Sequence, residues 1–127
     1  RVKINLLTVK GAKMAEIKTA KSHTVLLGQC QGFLKKHNVD PVSWGDTAGA
    51  AMHVAKLKNK SVAALGTALA GKIYGLNSLE ANIEDASHNT TRFILMSSTP
   101  LKIVSDDEKM ITSLFFRVRK FAPVTTP

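Results

Sequence analysis

Between residues 2 and 96, short apolar runs of strand length alternate with stretches of helical spacing, and most of the helical stretches are led by a residue able to cap them. Such alternation confines the chain to an α/β architecture, because strand, helix and strand in succession pack most simply as parallel strands covered by helices. Residues 2–8 read as a strand, Lys10 and Gly11 as a turn, and residues 16–20 as a second extended piece. Ser22 then stands where an N-cap is wanted, before Leu26, Cys30, Phe33 and Leu34 at helical spacing, and Asn38 supplies a stop. Residues 41–44 fit a short strand, and Asp46 caps a helix over residues 47–57 with Ala48, Met52 and Ala55 on one side. Residues 61–65 read as a buried strand, Thr67 caps a helix running to Ile73, and Gly75 provides a left-handed end. Two more strands, 79–84 and 92–96, bracket a polar loop at 85–91. The reading is a mostly parallel sheet with flanking helices.

A chain of 127 residues, 44% hydrophobic and 21% charged, can form one core and is no disordered tail. Its single cysteine, Cys30, excludes an internal disulfide and points to a reducing, cytoplasmic setting. The longest apolar stretch, residues 62–76, is broken by Lys72 and three glycines, short of the ~20 residues a membrane helix needs. No leader is read at the start and no initiator methionine, so the chain is expected to be trimmed from a longer one. Composition shifts after Ser97. The expected division is a domain over 1–100, a linker over 101–109 and a new unit beginning at 110–127, whose strand 110–119 places Met110, Leu114, Phe116 and Val118 on one face. Such a strand is expected to pair with another chain, or the natural protein continues there.

The net charge of +9 suggests an anionic partner. Lysines spread along the chain without interleaved aromatics argue against nucleic acid and for a solvated surface or a small anion. Two constellations could hold one. Ser22, Leu26, Gln29 and Phe33 stand at i, i+4, i+7 and i+11, so Gln29 lies beside an apolar stripe, either bonded to neighbouring backbone or facing a cleft with the helix N-terminus. The loop Asn89-Thr90-Thr91-Arg92-Phe93 runs into an apolar strand, where Arg92 meets either an anion or Glu84 or Asp85. His23 and Cys30 are too few for a metal site, and His37, His53 and His88 have no evident acidic orienter for nucleophilic catalysis. Gly71 and Lys72 lack the spacing of a phosphate loop.

Taken together, several motifs resemble one family. Ser22-His23 followed by Leu27-Gly28-Gln29-Cys30, then residues 46–51, Ala63-Ala64-Leu65, Tyr74-Gly75-Leu76, and Asn82-Ile83-Glu84-Asp85 ahead of the Asn-x-Thr-Arg-Phe element at 89–93 are similar in order and spacing to prephenate dehydratase. The tail from Lys109 to Arg119 resembles the first strand of an ACT regulatory domain. The resemblance implies one lobe of a two-lobed fold like the type II periplasmic binding proteins. It implies loss of water and carbon dioxide from prephenate, giving phenylpyruvate in phenylalanine biosynthesis, with neither metal nor organic cofactor. Thr91 is then the catalytic residue that assists departure of the ring hydroxyl. Ser22, Gln29, Asn89, Arg92 and Thr47 contact substrate or support the site, and Asp46 shares the turn of Thr47. A homodimer or tetramer is expected, with no nucleic acid and no membrane as partner. The Gly-Pro-x-Gly-Thr-Phe-Ser-like and Pro-x-Glu-Asn-Ser-like elements that build the other lobe in the family do not occur here, so the isolated chain is expected to be nearly inactive. The competing readings are arogenate dehydratase and a non-catalytic small-anion-binding module.

Overall fold

Leu6 and Leu7 point to opposite faces of one strand and both are fully buried, which is possible only if the sheet is covered on both sides. The computed structural model describes residues 2–86, 90–100 and 114–116. Its elements are β1 (Asn5–Thr8), a 3-10 turn (Met14–Glu16), β2 (Thr19–Ser22), α1 (Thr24–Gln29), α2 (Gln31–Lys36), β3 (Asp40–Ser43), α3 (Thr47–Leu57), β4 (Val62–Gly66), α4 (Ala68–Tyr74) and β5 (Asn77–Glu80). The sheet order is β3-β2-β4-β1-β5. β2 runs parallel to both β3 and β4, while β1 is antiparallel to both β4 and β5, so β1 alone is reversed. The mixed α/β sheet with flanking helices matches the expectation, with that one strand as its exception.

The crossovers divide the core in two. On one face Leu27, Cys30 and Leu34 of the α1–α2 region pack on Leu6, Ala20, Ala63 and Leu65, with Ile83 beside them. On the other, Ala50, Ala51 and Val54 of α3 pack on Leu7, Val62 and Ala64. Alanines at the α3 contact let the helix lie close to the sheet. On the outer edge, Asp40 and Trp44 donate inward to the carbonyls of Lys18 and Ser22. Pro41, one position out of phase, faces outward, where a missing N–H blunts the open edge.

Several local boundaries differ from the sequence reading. Residues 16–20 are not one extended piece: Glu16 ends the 3-10 turn and the strand begins at Thr19. Ser22 is not an N-cap but the last residue of β2, and His23 caps α1, its Nδ1 accepting from the Val25 N–H at 3.3 Å. The single expected helix is two, interrupted at Cys30 (φ −122°, ψ 20°). Asn38 does close α2 in the left-handed region (φ 51°), with the Val39 N–H returning to Leu34 O at 2.9 Å. β5 occupies Asn77–Glu80 rather than 79–84. No strand forms over 92–96, where Phe93, Ile94, Leu95 and Met96 are 80–98% exposed. An apolar run becomes a strand only where a neighbour offers a ladder, and these residues meet none among those described.

The chain divides into two compact units, Arg1–Phe93 and Ile94–Pro127. The described part of the second unit, residues 94–100 and 114–116, is exposed and forms no helix or strand. The rest of the expected strand 110–119 lies outside the described residues.

Candidate functional site

In the parallel segment β3-β2-β4, each strand ends at the same edge and leads into a helix: β2 into α1, β3 into α3, β4 into α4. The helices leave on opposite faces, so this edge is the place in an open α/β sheet where ligands gather. Each helix presents four N–H groups without intrahelical partners there. Local side chains take only part of that set. Asp46 accepts from Gly49 N–H at 2.6 Å on α3, and Thr67 accepts from Ala70 N–H at 3.2 Å on α4, both as the sequence predicted. Thr47, the first residue of α3, is half-buried at this edge.

Ser22 is fully buried and donates its hydroxyl to Leu65 O at 2.9 Å, so it locks the end of β2 to β4. Its own carbonyl accepts from Trp44 N–H at 2.9 Å, which fixes the entry to the β3–α3 turn. Because Ser22 belongs to a strand and Phe33 to α2, the single helical face imagined through Ser22, Gln29 and Phe33 does not exist. Gln29 instead closes α1, about 7.5 Å along the helix axis from Thr24, and is half-buried.

What reaches Gln29 comes from far along the chain. The Ile83 N–H donates to Ile4 O at 2.9 Å, Asn82 N–H to Asn5 Oδ1 at 3.3 Å, and Ile4 N–H to Glu84 Oε2 at 3.0 Å. Asp85 N–H donates to Gln29 O at 2.8 Å, and Asp85 Oδ1 accepts from Gly32 N–H at 3.0 Å. Residues 82–85 are thereby stitched to the start of β1 and to the α1–α2 break. The polar loop bearing Thr91 therefore departs beside Gln29. Thr90, Thr91, Arg92 and Phe93 are exposed, and Asn89 lies outside the described residues. Glu84 and Asp85, the alternative partners for Arg92, accept with their carboxylates from the main-chain N–H groups of Ile4 and Gly32. Sequence reading had no signal for the Asp85 contact, since the groups it joins are 53 residues apart.

Cys30 is buried at this break, and its thiol is pushed up to about 12, first by burial and then by the charges of Asp85 and Glu84. It remains protonated and unreactive at physiological pH. Among the described residues no three of His, Cys, Asp and Glu come together as a metal site would need. Two other features flank the edge. Lys21 Nζ lies 3.2 Å from His53 Nε2 and 5.0 Å from the centre of the Trp44 ring, which stacks on His53 at 4.3 Å. A groove of about 490 Å³ lies between the α1–α2 pair and β3, lined in part by Thr24, Gly28, Gln31, Pro41 and Ser43, and none of the predicted site residues among those described borders it.

The profile of the prephenate dehydratase family matches residues 1–100. The chain is 38% identical over 118 residues to a protein of Komagataeibacter europaeus named bifunctional N-acyl-homoserine lactone acylase/prephenate dehydratase, which covers 93% of this chain and 42% of that protein. It is 37% identical over 111 residues to arogenate dehydratase 2 of Petunia hybrida, covering 87% of this chain and 28% of that one. The chain thus spans less than half the length of these relatives. The crystal structure of prephenate dehydratase from Staphylococcus aureus subsp. aureus Mu50 superposes with a TM-score of 0.62 at 22% identity, over 70% of this chain and 32% of that one. The shared fold is the type II periplasmic-binding-like one.

Proposed function

The chain belongs to the prephenate dehydratase family, and from that premise we propose that it is the second lobe of a prephenate dehydratase, converting prephenate to phenylpyruvate. The observation that carries the proposal is the tether from Asp85 to Gln29 and Gly32, which starts the Thr91 loop next to the end of α1. In the reaction the bond from the ring to its carboxylate breaks, and carbon dioxide leaves. Its electron pair enters the ring as the ring C–O bond breaks, and the departing hydroxyl takes up one proton from solvent to leave as water. Aromatisation supplies the driving force, so little acid strength is required. A threonine hydroxyl is a very weak acid, and the role proposed for Thr91 is a hydrogen bond that strengthens as charge develops on the leaving oxygen.

The remaining residues bind. Gln29, Thr47, Asn89 and Arg92 hold the dianionic substrate, and the N–H groups that open α3 face its charge. Ser22, fully buried, supports the site by fixing the end of β2. The exposed apolar run at 93–96 suits a strand that completes its ladder with a first lobe. Residues 110–127 begin an ACT domain, and the whole enzyme is a cytoplasmic homo-oligomer, a dimer or tetramer. Within the described residues no helix is long and apolar enough to cross a membrane.

The test is Thr91→Val in the complete enzyme. Phenylpyruvate formation should fall by about 10²-fold or more; turnover within about twofold of the parent would overturn the assignment. Because an arogenate dehydratase is among the relatives, the same preparation is compared on prephenate and arogenate. A larger kcat/KM for arogenate would move the assignment to that substrate. Calorimetry on the chain itself separates both from a simple anion binder: prephenate binding should weaken on Gln29→Leu.

A further inference from the structure

The junction between α1 and α2 has an unusual capping arrangement. α2 begins at Gln31 after Cys30, which contributes no side-chain cap bond. Both halves of the junction are instead satisfied by one residue 53 positions downstream of Gly32. The Asp85 N–H donates to the carbonyl of Gln29, the last residue of α1, and its carboxylate accepts from the Gly32 N–H in the first turn of α2. A Cβ built on Gly32 would lie 2.8 Å from Asp85 Oδ1, so the close approach of the carboxylate depends on a glycine there.

We infer that Asp85 is a positioning residue of the site: it sets where Gln29 stands and where the Thr91 loop departs, and so couples the two groups to which substrate binding and hydroxyl departure are assigned. The inference deepens the functional reading above and rests on it for what Gln29 and Thr91 do. Its physical basis is that a charge-assisted bond to a helix N-terminus is stronger than a neutral one. One bond comes from the main chain and the other from the side chain of the same residue, so losing the carboxylate releases the start of α2 and leaves the Asp85 N–H bond to Gln29 O as the single hold on the junction from this residue. Glu84 cannot substitute, because its carboxylate accepts from Ile4 N–H at the other end of the segment.

The experiment compares the parent chain with Asp85→Ala, Asp85→Asn and Gly32→Ala by amide NMR, the Gln29 side-chain signals being assigned by their loss in Gln29→Leu. Asp85→Ala should raise the exchange rate of the Gly32 amide by about tenfold and shift the Gln29 side-chain signals. Gly32→Ala, which leaves Asp85 intact but crowds its carboxylate, should shift the same Gln29 signals. Asp85→Asn keeps an acceptor oxygen and should recover much of the parent spectrum. Unchanged Gln29 signals in Asp85→Ala and Gly32→Ala, with both chains folded by circular dichroism, would overturn the inference. Titration with prephenate then reads the functional half: Asp85→Ala should bind about tenfold more weakly, with Asp85→Asn between it and the parent. If the parent chain fails to respond to prephenate while its Gln29 signals still depend on Asp85, the positioning stands and the substrate assignment falls. Equal prephenate affinity in the parent and Asp85→Ala would end the coupling to the site.

Discussion

At the scale of single residues, the side chains whose partners lie within a turn were legible in the sequence and those with distant partners were not. Asp46 and Thr67 cap helices three residues away, and Gly75 adopts the left-handed conformation (φ 67°) that a helix end asks for. Ser22 looked like the same kind of cap, but its hydroxyl finds Leu65 O, 43 residues on, which no local pattern reports. Cys30 shows how such distant neighbours set chemistry. Its thiol, pushed up to about 12 by burial and then by Asp85 and Glu84, is held neutral in the folded chain. An ordinary cysteine ionises near 8.5–9, so the native state keeps its proton over an interval in which the unfolded state releases it. The resulting stability is present below the unfolded value and is lost as pH rises from there toward 12. At pH 8 the folded chain should react with iodoacetamide ~10³-fold more slowly than the chain in urea, as followed by mass spectrometry. Comparable rates with and without denaturant would show that Cys30 is neither buried nor suppressed.

At the scale of elements, α3 matches the sequence reading residue for residue over Thr47–Leu57, and β4 and α4 match to within one residue at most boundaries. Each is bounded by a local signal at both ends. The misread elements lack one. The break at Cys30 interrupts a continuous helical pattern, and the residue bonded to both sides of it, Asp85, lies on a different segment. Residues 92–96 have the composition of a strand, but a strand is a relation between two segments and the second is not among the described residues. For the site, this meant that Thr47 and the helix start were placed correctly at the β3–α3 turn, whereas the face shared by Ser22 and Gln29 was an artefact of assuming one helix. The α3 cap also gives an element-scale expectation. Asp46→Ala removes the acceptor for Gly49 N–H at 2.6 Å and the negative charge at the positive end of α3, so it should destabilise the chain by about 1 kcal/mol, at most ~2. Asp46→Asn should recover most of the loss. Urea melts of the three chains check it: equal midpoints for Asp46→Ala and the parent would mean that α3 is held by Ala50, Ala51 and Val54 alone.

At the scale of the whole molecule, the charge excess that first suggested an anionic partner is distributed unevenly along the strand direction. Lys35 and Lys36 end α2, Lys56 and Lys58 end α3, and Lys72 lies in the last turn of α4. Lys18 and Lys60 precede β2 and β4. All therefore belong to the edge opposite the helix N-termini, where positive side chains oppose the negative ends of helix dipoles. Strands of four to five residues separate the two edges by about 15 Å, well beyond the ~8 Å over which charges act at physiological ionic strength. These seven lysines thus add to the net charge through the fold and not through the substrate, and with Lys21 held against His53 and Trp44, the cationic help at the proposed site comes from Arg92 and main-chain N–H groups. It follows that replacing Lys58 and Lys60 together by glutamine should leave prephenate affinity within about twofold at 0.15 M salt, while Arg92→Gln should weaken it by roughly tenfold. Calorimetry of both variants decides the matter. If the lysine pair carries the larger loss, the anion sits at the lysine edge, and the N-terminal ends of α1, α3 and α4 have been given the wrong role.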